Sequence, residues 1–444
     1  MKMSGFQMIA LGVFATLILI GIGAFATYGG VKSGAQIGTV VVWGTLDSVM
    51  VDAALDTIRQ QDSTMQGVSY VQKDPKTYVS DLVNALASGG GPDLFMVSQD
   101  QITTFSNKIG VIPYSAMSQQ KFTDSYVDEA QLFLTPDGIL ALPYAIDPLV
   151  MYTNRDLLSS AGYARPPQYW NDFLDMSPKL TQLDGSSNIT RGAVALGGWS
   201  NVQYAKDIIA TLFMQAGDPI VTRNDKGVPT PVLGTIQSTD PAATEDPATS
   251  ALQFYSEFAN PTKTTYSWNR SLPLSQDAFV AGDLAIYFGY ASDYATLQSR
   301  NPNIHLSVAQ IPQIQGTGVK MTFGHIYGLA IPRTTKNPAG ALLAAEKLTS
   351  QSDITTLVAT SPLPPVRRDV QVDTSKDAAK SVFASSALIA RGWLDPDPAQ
   401  TDTIFQNMVE SVMSSSATPA QAIFSAYQVL QTLLHSNSLN TSTS

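Results

Sequence analysis

The chain has 444 residues, too long for one core, so two lobes or domains are expected, and 44% hydrophobic with 14% charged residues describes a foldable chain. A formal charge of −10 argues against a nucleic-acid partner, and the absence of cysteine excludes disulfides, thiolate zinc sites, Cys nucleophiles and a lipid-modified Cys. Three scattered histidines (His305, His325, His435) outside any H-E-x-x-H give no catalytic zinc, and no cofactor or metal is expected.

Met8 to Tyr28 is an uncharged apolar run. At about 1.5 Å per residue it reaches roughly 30 Å, the thickness of a bilayer core. Lys2 is the only side-chain charge before it, so residues 1–7 are expected in the cytoplasm and the body outside it. Ala24-Phe25-Ala26 matches a signal-peptidase site, which gives cleavage and secretion as the alternative. The length of the run and its weakly charged flank favour a retained transmembrane helix. Residues 29–37 read as a linker.

From there strands alternate with helices. Thr39 to Trp43 is a β-branched run of the kind that forms a buried parallel strand. Asp47 or Ser48 can cap the helix that follows, with Val51, Leu55 and Ile58 on its apolar face. Asp74 and Pro75 predict the start of a second helix, Gly89-Gly90-Gly91 its end, and Leu94 to Val97 the next strand. Ala285 to Phe288 is a strand after a helix stopped at Gly282. Tyr327 to Pro332 is a strand before a helix capped by Asn337 and started by Pro338. Thr235 to Thr249 reads as a surface loop. Thr418 and Pro419 begin the last helix, and residues 436–444 read as a flexible tail. This alternation predicts open, largely parallel α/β sheets.

In such sheets ligands bind beyond the carboxyl ends of the strands. That rule selects loops carrying Trp43, Thr45 and Asp47; Ser98 and Gln99; Tyr144 and Asp147; Trp199 and Asn201; Tyr290 and Ser292; and Tyr327. Aromatic faces among carboxylates, amides and hydroxyls suit sugar recognition, since rings stack on aromatics and hydroxyls donate to carboxylates. Asp47 and Asp147 are the preferred hydroxyl acceptors. Bland roles compete: Asp47 as a helix cap, Asp147 as a solvated hinge residue, any Trp as core. Trp268 is a secondary candidate, Trp170 reads as packing, and His325 reads as a polar loop residue. Asp395, Asp397 and Asp402 fit a helix N-terminal turn better than a calcium loop. No catalytic residue is assigned.

Several segments in order resemble the family 1 extracellular solute-binding proteins, which include the maltose-binding type. Pro143 to Asp147 followed by Met151 to Leu158 is similar to the family's "P-x-x-x-D … Y-N-K-D-L". Ala161-Gly162, Pro166-Pro167 and Tyr169 to Phe173 resemble "A-G … P-P-x-T-W-x-E-F", and Ala278 to Ile286 resembles "A-F-x-x-G-K-A-A-M". Phe323 to Pro332 and Leu363 to Arg367 complete the series. Thr153, Arg155 and Tyr169 depart from the pattern, and the lipobox Cys is missing.

The resemblance implies a two-lobed periplasmic-binding-protein-like (type II) α/β fold, preceded here by one N-terminal transmembrane helix. The first lobe would be residues 38–145 plus 323–362 and the second 147–315 plus 365–435, with crossings near Ile146, Gly316–Thr322 and Leu363. It also implies a monomer that captures a small solute, here an oligosaccharide, and delivers it to ABC permease subunits. The chain carries no G-x-x-x-x-G-K-[ST], so ATP hydrolysis would lie elsewhere. Alternatives are a binder of a polyamine or other small cation, a tethered sensor or adhesin, and an exported glycosidase. No spacing of acids marks the carboxylate pair the last would need.

Overall fold

The computed structural model describes residues 37–224, 227–236, 245–316, 318–373 and 377–442. The apolar run Met8–Tyr28 therefore lies outside the described residues, and among those described no helix is long and apolar enough to cross a membrane.

The first half builds a parallel sheet. Strand β1 (Val40–Gly44) pairs in parallel with β2 (Val68–Gln72) and β3 (Leu94–Ser98). All of β3 is buried, as expected of an apolar strand covered on both faces. Helix α1 (Ser48–Gln61) follows β1, and Asp47 caps it by accepting from Val49 N at 2.7 Å. Helix α2 (Tyr78–Ala87) begins three residues later than Pro75, because Asp74 instead accepts from Lys76 N and closes a turn ahead of the helix.

Strand β4 (Leu142–Asn154) has 13 residues, all buried. Its partners change along its length. Residues 142–148 pair with the later strand Thr322–Ala330, whereas residues 149–154 pair with Leu284–Tyr290 and Leu306–Gln310. In chain order β5 is Ile189–Val194, β6 is Leu284–Tyr290 and β7 is Leu306–Gln310. Between β5 and β6 lie α3 (Ala205–Gln215), α4 (Pro247–Glu257) and α5 (Ser275–Ala281). Gly282, at φ +88°, ends α5 in the left-handed conformation that a glycine adopts freely. Asp246 caps α4, so the end of the expected surface loop is already a helix start, with Ala248 and Thr249 buried. Residues 237–244 of that loop lie outside the described residues.

Strand β8 (Thr322–Ala330) lies between β3 and β4, runs antiparallel to both and joins them. Its first two residues pair with β9 (Ala390–Arg391). The sheets are thus mixed rather than largely parallel, because the two long strands that cross the molecule return antiparallel to their neighbours. Helices α6 (Pro338–Leu348), α7 (Gln351–Thr360), α8 (Ala378–Leu388), α9 (Pro398–Met413) and α10 (Pro419–Ser442) complete the chain. Asn337 caps α6. Thr418 and Gln421 exchange bonds in a capping box at the start of α10. The helical backbone of α10 continues through Ser442, past the Ser436 at which a tail is expected.

Asp47 is exposed and spends its carboxylate on the helix cap. Asp47→Ala is expected to lower stability by about 1 kcal/mol, seen as a lower urea midpoint, while solute affinity stays unchanged.

Candidate functional site

A cavity of about 620 Å³ lies beside the crossing of β4 and β8. Its lining comes from four places. Gln99 and Asp100 follow β3; Trp199, Tyr204, Lys206 and Asp207 lead into and begin α3; Phe323 and His325 lie on β8; Trp393, Asp395 and Asp402 flank the start of α9. Aromatic side chains and carboxylates therefore line one cavity, a mixture that suits sugar rings and hydroxyls.

The polar groups are tightly organised. Tyr290 donates its hydroxyl to Asp207 Oδ2 at 2.8 Å, and its ring packs against Tyr204 (4.7 Å) and His325 (4.8 Å). Burial, with Asp207 alongside, pushes the Tyr290 phenol far above its usual range, so it stays a donor. Asp293 accepts from the hydroxyls of Tyr204 and Tyr287 and from Tyr290 N, which fixes that wall. Lys206 donates to Asp395 Oδ2 at 2.8 Å and to Thr401 Oγ1 at 3.0 Å, with its ammonium 5.8 Å from the Trp393 ring. Burial raises Asp395 above the usual carboxylate range despite the attraction of Lys206. Burial opposes charge on His325, and the carboxylates of Asp207, Asp100 and Glu129 outweigh it, pushing the imidazole up to about 9.

Glu129 is buried, neither of its carboxyl oxygens has a hydrogen-bond partner among the described residues, and desolvation pushes it up to about 8. A carboxyl raised in the folded state contributes its stability below the unfolded value, near 4.5, and loses it as pH rises through the folded value. Wild-type stability relative to Glu129→Gln should therefore fall between about pH 4.5 and 8, by at most about 1.4 kcal/mol per pH unit. Parallel urea titrations of the two proteins would measure it, and a pH-independent difference would contradict this assignment.

Of the residues singled out in sequence, Gln99 and Trp199 line the cavity, and Tyr290 supports it from behind through Asp207 and His325. The others are placed elsewhere. Trp43 is half-buried beneath Lys73, whose ammonium lies 3.6 Å from the ring centre, and Thr45 lies in the turn after β1. Ser98 is buried and donates to Asp100. Tyr144 is buried in the core. Asp147 is buried, accepts from Ser292 N at 3.1 Å and is pushed up to about 6 by desolvation, so it ties β4 to the loop after β6. Ser292 itself is exposed. Asn201 donates to Asn269 O and Leu272 O and holds that loop. Tyr327 lies on β8 two residues beyond His325, outside the cavity lining. Trp268 is fully buried, and Trp170 is core, as its helix-start position suggests.

Sequence reasoning missed Tyr204, Lys206, Asp207, Trp393 and Asp395. The signal for the first three was adjacency, one helical turn beyond the Trp199 loop. Trp393-Leu394-Asp395 carries the same aromatic-and-acid mixture as the chosen loops. Asp397 does cap α9, by accepting from Ala399 N, but Asp395 is buried against Lys206. His325 proves to be a cavity residue.

A mixed sheet whose long strands change partners along their length, with an aromatic and acidic cavity beside their crossing, fits a two-lobed fold of the periplasmic-binding-protein type. The chain belongs to the bacterial extracellular solute-binding proteins, whose family pattern matches residues 66–353. A curated protein of Deinococcus radiodurans, "Probable ABC transporter-binding protein", is 26% identical over 218 residues, 48% of each chain. The chain thus spans about half the length of that relative. Similar solved structures include a cyclic α-maltosyl-1,6-maltose binding protein from Arthrobacter globiformis (TM-score 0.72, 14% identity, 89% of this chain and 98% of that one). The sugar-binding protein MalE of Xanthomonas citri is similar too (0.70, 16%, 91% and 100%). So is UgpB of Mycobacterium tuberculosis, solved with glycerophosphocholine (0.68, 18%, 90% and 98%). At these identities the likeness carries the fold alone.

Proposed function

We propose that this protein captures an oligosaccharide in the cavity beside the strand crossing and delivers it to the permease of an ABC importer. The observation that carries the reading is the lining itself: Trp199, Tyr204, Phe323 and Trp393 interleaved with Asp100, Asp207, His325 and Asp402. Stacking faces suit sugar rings, and carboxylates accept hydroxyls. Lys206, the one Lys or Arg side chain among the described lining residues, is already committed to Asp395, which argues against a phosphate ligand. The sugar-binding proteins of Arthrobacter globiformis and Xanthomonas citri share the fold and support the choice. Four lining aspartates favour a polyamine or other small cation as the second reading.

In this proposal residues 38–145 with 323–362 form one lobe and 147–315 with 365–435 the other. The change of partners along β4 near Asp147 supports that division. A solute touching both lobes has its full set of contacts only when they close, so it shifts the population by its differential affinity. The protein would act as a monomer with its body outside the cytoplasm, tethered by Met8–Tyr28. Recovery of a soluble product starting near Thr27 would replace the tether by secretion and leave export intact.

Titration calorimetry against maltotetraose, glycerophosphocholine and spermidine tests the ligand class. Micromolar sugar binding, about −8 kcal/mol, with a slightly smaller radius of gyration in solution scattering is the expected result. Tight spermidine binding with no response to a panel of sugars would sink the sugar assignment.

A further inference from the structure

The floor of the cavity holds a histidine under two opposing demands. Gln99 fixes one of them. Its Oε1 accepts from Ile326 N at 3.0 Å, and its Nε2 donates to Gly324 O at 3.2 Å. Turning the amide over would set two acceptors face to face at Gly324 and two donors at Ile326, so the orientation is determined by the backbone of β8. The second N–H of that amide then points at His325 Nδ1, 3.0 Å away. Nδ1 can accept it only while it carries no proton. The imidazole in this arrangement is neutral, with its proton on Nε2. That nitrogen lies 3.8 Å from Asp207 Oδ2, too far for a direct hydrogen bond but within the span that one bridging hydroxyl or water covers.

The surroundings make the opposite demand. Asp207 on α3, Asp100 after β3, Glu129 on the short helix Asp128–Phe133 and Asp147 on β4 all interact electrostatically with the ring. The Tyr290 ring lies 4.8 Å from it and Phe323 5.5 Å. Arg391, which acts on Glu129, is the cation behind that carboxyl. The carboxylates favour an imidazolium, and the Gln99 amide tolerates only the neutral base. Both cannot be satisfied at once.

We infer that His325 is a proton-operated latch: as the neutral Nε2–H tautomer it holds Gln99 on strand β8 and offers one donor to the cavity, and a proton taken from solvent at Nδ1 expels the Gln99 amide and frees the segment after β3. Gln99 and His325 are both cavity residues, and β8 is one of the two crossing strands, so the latch acts on the wall and the crossing together. A bistable contact at that place couples proton uptake to the shape of the cavity.

The test needs no solute and so stands or falls separately from the sugar assignment. The full chain, labelled with ¹⁵N-histidine, contains only three imidazoles, and His305→Gln and His435→Gln assign the remaining signal to His325 without altering it. The ring ¹⁵N shifts should report Nδ1 unprotonated and Nε2 protonated at high pH. Hydrogen-exchange protection of the Ile326 amide should disappear with the same midpoint at which Nδ1 gains its proton. Gln99→Leu removes the contact that opposes protonation, so the His325 midpoint should rise by about one pH unit or more. Gln99→Glu, whose carboxylate accepts from a protonated Nδ1, should raise it further. Three results would each overturn the latch: an Nδ1–H tautomer, an imidazolium coexisting with a protected Ile326 amide, or a midpoint unchanged or lowered in folded Gln99→Leu. Should that variant fail to fold, the wild-type tautomer and exchange data decide alone.

Discussion

Lys206→Met is expected to cost about 3–5 kcal/mol of folding stability, the scale for stranding one partner of a buried ion pair. Asp395 has 3% of its side chain exposed and Lys206 16%, so the carboxylate has little access to water once its partner is gone. The remaining partners of Asp395, Thr401 Oγ1 and Asp397 N, are neutral donors and do not balance a carboxylate. Burial already raises Asp395 above its unfolded value, and loss of the ammonium raises it further. A carboxyl raised in the folded state stabilises below its unfolded value and ceases to as pH rises through the folded one. The defect should therefore be larger at pH 7 than at pH 4.5. Lys206→Met with Asp395→Asn removes the stranded charge while keeping an acceptor for Thr401, and most of the loss should be recovered. Urea unfolding of the three proteins at both pH values measures this. A double variant no more stable than Lys206→Met would show that packing of the lysine stem, not charge, is what was lost.

The second large effect separates two tryptophans that look alike in sequence. Trp199 is partly exposed and lines the cavity, whereas Trp268 is 0% exposed. Trp199→Ala should weaken solute binding by about 1–3 kcal/mol, roughly five- to 150-fold, through lost stacking area, with little change in thermal midpoint. Trp268→Ala should instead cost about 3–5 kcal/mol of stability by opening a core cavity, and leave the affinity of the folded fraction intact. Calorimetric titration beside thermal unfolding distinguishes the outcomes. If Trp199→Ala unfolds the protein while ligand still saturates the folded remainder, Trp199 is core and that wall of the site is misassigned.

The sequence by itself determined the α/β class, the family, the strands β1, β3, β6 and β8, and the starts of α1, α6 and α10. These depend on signals a few residues long: β-branched runs, Pro at the first helical position after Asn337 or Thr418, and Gly282 ending a helix. It also picked out the loops that carry Gln99, directly after β3, and Trp199, beyond the end of β5 at Val194. It could not say which of its candidates would spend their polar groups on structure. Asp47 caps a helix, Asn201 braces a loop and Asp147 ties β4 to Ser292, each by a bond that depends on how the chain is positioned in space.

Only the tertiary structure decided that Lys206 and Asp207 meet Trp393 and Asp395 at one opening, Lys206 and Asp395 being 189 residues apart, and that His325 lies among them. Trp43 lies outside the cavity lining, and Lys73, just past the neighbouring strand β2, covers its ring. Periodicity reports which face of an element is apolar, but a binding site is assembled from the ends of several elements. Which ends converge is set by strand order and by the partner change within β4, a long-range property that no local pattern encodes.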